Sequence, residues 1–252
     1  MILTEKNRIE AFTKKGWWGE DTLYSLFKDA LTSCSDQEAL VDPKNRADIT
    51  GDPPKRLSFN DIDKTVERYA SIFFEHGLRK DDIVIIQLPN IVELPMIYLA
   101  LSKLGIICSP IPMQYGAYEI TSIIGETQPK GFISIQSFNG NAHAEQFSSV
   151  FSNNELKFAL GAINNFVNLH EYSPADESYE SQQSYVQDNA VTANDIFTIC
   201  WTSGTTGTPK GVPRSHNLWL PMAKAAAFVS ETEKGDTLLN PFPMINMASI
   251  GG

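Results

Sequence analysis

Ten consecutive residues hold the densest potential chemistry in the chain: Thr202-Ser203-Gly204-Thr205-Thr206-Gly207-Thr208-Pro209-Lys210-Gly211. They combine five hydroxyl side chains, three glycines, one proline and one lysine. A polyphosphate needs many donors facing one concave surface. Glycines let the backbone approach and turn its N–H groups inward. Hydroxyls rotate to meet individual oxygens, and Lys210 supplies a point charge for the terminal phosphates. Pro209 stiffens the turn and removes a donor that would otherwise need a partner. An ordinary surface turn is the alternative, because Gly, Ser and Thr are common there. Ten residues placed directly after a buried strand, Asp195 to Trp201, exceed what a turn requires. A Walker A loop is excluded, since it ends in Gly-Lys-Ser/Thr, whereas here Pro209 precedes Lys210 and Gly211 follows it.

The elements that must position this loop are read from periodicity. A first helix is predicted over Thr22 to Leu31, with Leu23, Leu26, Phe27 and Ala30 on one face. Upstream, Phe12, Trp17 and Trp18 surround Gly16 and Gly19 and read as an aromatic anchor for an N-terminal arm. Ser58 is a predicted N-cap for a helix carrying Ile62, Val66, Tyr69, Ala70 and Phe73, closed by Gly77. Asp82 to Leu88 is a near-continuous β-branched run, which fits a strand covered on both faces. A helix over Val92 to Leu104 ends at Gly105. There follow a strand at Ile106 to Ser109, a helix at Ala117 to Gly125, a strand at Gly131 to Ile135 and a further helix–strand pair between Ala142 and Leu160. Such alternation implies parallel βαβ units with right-handed crossovers. The expected fold is α/β, a doubly wound and largely parallel sheet with flanking helices, plus the start of a second, incomplete α/β subdomain. Residues 1–39 form the arm and first helix, 40–201 the first subdomain, and 202–252 the phosphate-binding loop and the start of the second. The polar, acidic stretch Glu171 to Ala190 reads as a solvated loop or linker.

Composition narrows the function classes. The chain has 252 residues, 42% hydrophobic and 20% charged, enough for one large or two modest domains. A net charge of -10 argues against a nucleic-acid partner, which needs clustered Lys and Arg. It leaves room for a phosphate-bearing small molecule. Three cysteines, Cys34, Cys108 and Cys200, form no C-x-x-C pair, so no disulfide framework or zinc site is suggested and a reduced, cytoplasmic setting is expected. The opening MILTEKNRIE carries charges where a signal peptide is apolar. The most apolar stretch, Ile83 to Met113, is interrupted by Glu93, Lys103 and four prolines and reads as core, not as a membrane span.

The decapeptide TSGTTGTPKG resembles the signature loop of the adenylate-forming, AMP-binding family: acyl- and aryl-CoA synthetases, firefly luciferase and nonribosomal peptide adenylation domains. The resemblance extends upstream through the segment from Leu57 to Asn90, the run ALSKLGIICSPI and the segment containing Lys130 and Phe132-Ile133-Ser134. It implies a two-step reaction. A carboxylate attacks the α-phosphate of Mg-ATP to give acyl-AMP and pyrophosphate; the thiol of coenzyme A or a carrier-bound pantetheine then displaces AMP. ATP, Mg²⁺ and coenzyme A are the implied cofactors and a small carboxylic acid the implied partner. Carried over by position, Thr202, Ser203, Gly204, Thr205, Thr206, Gly207, Thr208 and Lys210 hold the β- and γ-phosphates.

His216 and Asn217 sit where the family often has a His and an Asn near a helix start, with Ser215 as the cap of a helix running to Val229. The resemblance makes His216 a candidate for the substrate pocket; a structural histidine bonded to backbone is the competing reading. In Asn240 to Ser249, Pro243 matches the family's pocket motif, but Ile245, Asn246 and Ser249 replace its aromatic, His and Gly. Asn246 and Met247 are the pocket candidates there, with Asn246 set beside the substrate carboxylate or a ring substituent; a polar residue capping a strand end is the alternative. The acid stays open: small aryl or alicyclic first, short or medium fatty second. The family's later motifs, namely a Thr-Glu pair near Mg²⁺, a ribose-binding aspartate, a hinge and a catalytic lysine, have no matching positions, so no catalytic residue is assigned. An amino-terminal fragment of little or no activity alone is expected, associating through exposed sheet edges. The alternative function is an inactive nucleotide- or partner-binding fragment.

Overall fold

A computed structural model describes residues 1–151, 155–202 and 209–245. Helix α1 (Lys6–Lys14) belongs to the N-terminal arm, and α2 (Leu23–Cys34) follows. Thr22 caps α2 reciprocally: its hydroxyl accepts from the Ser25 N–H at 3.1 Å, and the Ser25 hydroxyl accepts from the Thr22 N–H at 2.8 Å. Strands β1 (Glu38–Val41) and β2 (Arg56–Ser58) form an antiparallel ribbon around the short helix α3 (Arg46–Thr50). Ser58 and Asp61 make the same kind of capping box for α4 (Phe59–Glu75). The chain leaves α4 through Gly77 at φ +93°, a left-handed conformation that costs glycine little.

The sheet is built from β3 (Ile83–Ile86), α5 (Glu93–Leu104), β4 (Ile107–Pro110), α6 (Ala117–Thr127) and β5 (Gly131–Ile135). A small ribbon, β6 (Ser137–Phe138) with β7 (Asn141–Ala142), precedes β8 (Leu156–Leu160), β9 (Val167–Asn168) and α7 (Asp176–Asp188). The hairpin of β10 (Ile196–Thr202) and β11 (Lys210–Ser215) leads into α8 (His216–Val229). Seven strands lie in the order β11-β10-β4-β3-β5-β8-β9, all parallel except β11. Along β3, Val84 and Ile86 enter the core shared with α4 and α5, whereas Ile85 enters the core shared with α6. That alternation is the pleat of a strand buried on both faces.

Three segments differ in detail from the sequence reading. Glu171 to Ala190 is not a plain loop: α7 packs on α4 with Gln182 fully buried. Tyr179, Gln182, Tyr185 and Val186 share its inner face at helical spacing, and the Tyr185 hydroxyl accepts from the Lys80 N–H at 2.8 Å. The helix expected after Ala142 is a single turn of 3₁₀ helix, Ala144–Phe147. Ser148 and Ser149 follow it, residues that compete with helix through their own hydroxyls. Finally, β11 joins the same sheet as β10, and Trp219 of α8 donates its indole N–H to the Thr198 hydroxyl of β10 at 2.9 Å.

Candidate functional site

Buried β10 delivers Thr202 to the carboxyl ends of the parallel strands, the edge outside which open α/β sheets bind ligands. Thr202 pairs with Lys210 across the hairpin, and the Thr202 hydroxyl donates to the Lys210 carbonyl at 3.4 Å. Both residues are exposed. Ser203, Gly204, Thr205, Thr206, Gly207 and Thr208 lie outside the described residues. So do Asn246 and Met247.

The base of the loop is fixed by packing. Trp201 donates its indole N–H to the Ser109 hydroxyl of β4 at 2.9 Å. A Cβ on Gly211 would lie 2.9 Å from Ile199 Cγ2 and 3.2 Å from the Trp201 ring, so only glycine fits the hairpin there without displacement. At the end of β3, Gln87 ties neighbouring turns together: its side-chain amide donates to the Pro112 and Tyr115 carbonyls, each at 3.0 Å.

His216 lies at the other end of β10. Ser215 pairs with Ile196 and Lys210 with Thr202, so the seven-residue strand separates them by roughly 20 Å. The His216 ring is buried, stacks on Phe197 and accepts the Leu23 N–H through Nδ1 at 3.3 Å. Burial pushes its pKa down to about 4, against an opposing pull from Asp195. These are the features of the structural, backbone-bonded alternative, and they set His216 apart from Thr202 and Lys210. Asn217 is likewise engaged: it accepts from the Gly19 N–H at 3.0 Å and donates to the Gly19 carbonyl at 3.1 Å, clipping the N-terminal arm onto α8. Ser215 occupies the cap position of α8 but makes no side-chain cap bond.

Two residues that periodicity did not single out meet the segment leading to Asn246. Asn90 contacts the backbone of Phe242 and Met244, and the Tyr98 hydroxyl donates to the Met244 carbonyl. Their partners are about 150 residues away in sequence, a separation at which spacing carries no signal. A second charged cluster joins the β1–β2 ribbon to α5. Arg46, fully buried, reaches both Glu93 oxygens at 2.8 and 2.9 Å and Asp42 at 2.5 Å, and Lys55 reaches Glu93 at 2.5 Å. Burial opposes ionisation of Glu93, but His170, Arg46 and Lys55 outweigh it and hold the carboxyl well below its usual range. Among the described residues, no group of three His, Cys, Asp or Glu side chains could hold a metal ion, and no helix is long and apolar enough to cross a membrane.

A family model described as AMP-binding enzyme matches residues 27–252. The chain is 23% identical over 245 residues to the medium-chain fatty-acid–CoA ligase of Escherichia coli strain K12, covering 95% of this chain and 41% of that one. It is 26% identical over 228 residues to pseudomonine synthase PmsE of Pseudomonas entomophila, covering 89% of this chain and 35% of that one. Among solved structures, apo MbtA of Mycobacterium smegmatis superposes with a TM-score of 0.77 at 19% identity, covering 96% of this chain and 42% of that one. A long-chain-fatty-acid–CoA ligase (FadD1) from Archaeoglobus fulgidus gives 0.74 at 21%, covering 93% and 44%. At such identities the structural likeness is one of fold. The chain spans well under half the length of these relatives.

Proposed function

The chain belongs to the AMP-binding enzyme family, and from that premise we propose that the full-length protein activates a carboxylic acid with ATP and transfers the acyl group to a thiol. The single observation that carries the reading is the pairing of exposed Thr202 and Lys210 at the carboxyl edge of the sheet, the two residues between which the Thr/Gly sequence runs. In the first step, a carboxylate oxygen bonds to the α-phosphorus and the bond to the α–β bridging oxygen breaks. Pyrophosphate leaves with the electron pair. Such displacement depends chiefly on positioning and charge neutralisation. Lys210 and the hydroxyls and amides of residues 202–208 hold the β- and γ-phosphates and stabilise the charge that gathers there. Mg²⁺, when bound with ATP, would supply further neutralisation of the phosphate charge. In the second step, the thiol of coenzyme A or a carrier-bound pantetheine attacks the acyl carbon, and AMP departs to leave a thioester.

Asn246 and Met247 line the acid pocket in this reading. Small aryl or alicyclic acids are the first substrates to try, because Pro213-Arg214-Ser215-His216-Asn217 reads closer to aryl-acid-activating members and Asn246 suits a polar ring substituent. Short and medium fatty acids come second. A reducing, cytoplasmic setting accords with Cys34, Cys108 and Cys200 standing as thiols. The test is an acid screen on the full-length protein, following AMP release with and without coenzyme A. Acid-dependent AMP release supports the proposal; ATP cleavage to ADP overturns it.

A further inference from the structure

A cavity of about 280 Å³ opens between the β1–β2 ribbon, α4, the start of α5 and the turn after β9. None of these elements carries residues 202–210. Leu57, Tyr69 and Met96 form apolar walls, and Tyr69 and Met96 are almost wholly buried. Lys55, Arg68 and His170 bring nitrogen donors to the space, and buried Glu93 closes one side. Its volume is near the lower end for small-molecule sites, whose usual make-up is apolar walls with a few polar groups.

The charges around this space do not cancel. Glu93 is satisfied within the protein: Oε1 accepts from Arg46 at 2.9 Å and Lys55 at 2.5 Å, and Oε2 accepts from Arg46 at 2.8 Å. Behind it, Arg46 is balanced by Asp42, and half-exposed Asp52 stands 3.6 Å away in reach of solvent screening. Arg68 is placed differently. Its Nη1 donates to the Leu169 carbonyl at 2.6 Å and the Tyr172 carbonyl at 3.1 Å, and its guanidinium lies 4.9 Å from the Tyr69 ring centroid. Neutral groups fix its position, and among the described residues Arg68 forms no ion pair. A half-buried guanidinium without a counter-ion is costly, and its planar fork matches a carboxylate. Lys55 spends one N–H on Glu93 and keeps two. With His170 neutral, Lys55 and Arg68 against Glu93 leave the lining with one positive charge, which a single anionic charge balances.

We propose that this cavity is a binding site for a small monocarboxylate with a compact apolar body. The carboxylate meets Arg68, and the body lies against Leu57 and Met96. The site stands apart from the phosphate-loop residues and does not depend on the carboxylate-activation reading.

The test is calorimetric titration of the full-length protein, without ATP, with benzoate and with sulfate as a dianion lacking an apolar body. Hydrogen exchange is followed in parallel over residues 55–57 and 169–172. Benzoate is expected to bind more tightly than sulfate and to slow exchange in both segments. Arg68→Gln should weaken benzoate at least about 10-fold, the scale of one lost charged contact. Leu57→Trp keeps every charge, fills the cavity and should abolish the binding; it carries the test if thermal melts show Arg68→Gln unfolded. Benzoate held at another site, such as a reaction pocket, is insensitive to both substitutions and leaves exchange at the cavity unchanged. That outcome overturns the proposal, as do tighter binding of sulfate, unweakened benzoate binding in either folded variant, and no benzoate binding at all.

Discussion

His216 stacks on Phe197 with ring centroids 4.9 Å apart and planes 15° from parallel. The pair sits where α8 begins, against the N-terminal side of α2, and makes His216 a joint between the arm and the sheet.

A pH dependence of stability follows from that joint. Burial lowers the folded-state pKa of His216 to about 4, whereas an unfolded histidine titrates near 6.5. Between those values the unfolded chain binds more protons, so stability rises with pH. The contribution is complete above about pH 6.5 and is lost as pH falls toward about 4, by at most roughly 3 kcal/mol. Urea unfolding at pH 7.5 and pH 5 checks this. His216→Gln should flatten the slope in that window, and an unchanged slope counts against the assignment.

The Arg46–Glu93 pair predicts a contrast between buried and exposed charges. Glu93→Gln leaves buried Arg46 without its bidentate partner and should cost about 3–5 kcal/mol. Glu38→Gln removes an equally close partner of Arg56, but in solvent, and should cost less than about 1 kcal/mol. Similar losses in the two variants, measured by urea unfolding, would contradict the weight placed on burial.

Gly211 predicts a local effect on nucleotide use. Gly211→Ala forces its Cβ against Ile199 and Trp201, which should cost about 1–3 kcal/mol and raise the KM for ATP as the loop base shifts. Gly125→Ala is the control: it lies in α6 with open space around it and should stabilise by up to about 1 kcal/mol. Thermal melts together with ATP titrations separate the two, and a Gly211→Ala protein with normal melting and normal ATP dependence would refute the packing argument.

The parallel core was legible in sequence because its signals are local. Ile83 to Ile86 announces a buried strand by an unbroken apolar run, Gly131 to Ile135 by one interrupted only at Ser134, Ser58 marks a helix start, and Gly105 marks a helix end at φ +70°. What was not legible depends on partners distant in sequence. Helix α7 buries Gln182 against Lys103 and one face of sparse aromatics, so its composition resembles a solvated linker. Strand β11 is exposed along most of its length and contains Pro213, which only an edge strand tolerates, so it shows no alternation to read. Lys210 was legible as a phosphate-loop candidate by its residue types, whereas Asn90 and Tyr98 act through Phe242 and Met244 across the fold.

The most direct test of carboxylate activation is exchange of labelled pyrophosphate into ATP by the full-length protein across a panel of acids, in wild-type and Lys210→Ala forms. Label incorporation is expected only when an accepted acid is present, with kcat/KM for ATP lowered at least about 10-fold in Lys210→Ala, the scale of one lost charged contact. Incorporation independent of any acid, or full incorporation after loss of the Lys210 ammonium, would contradict it.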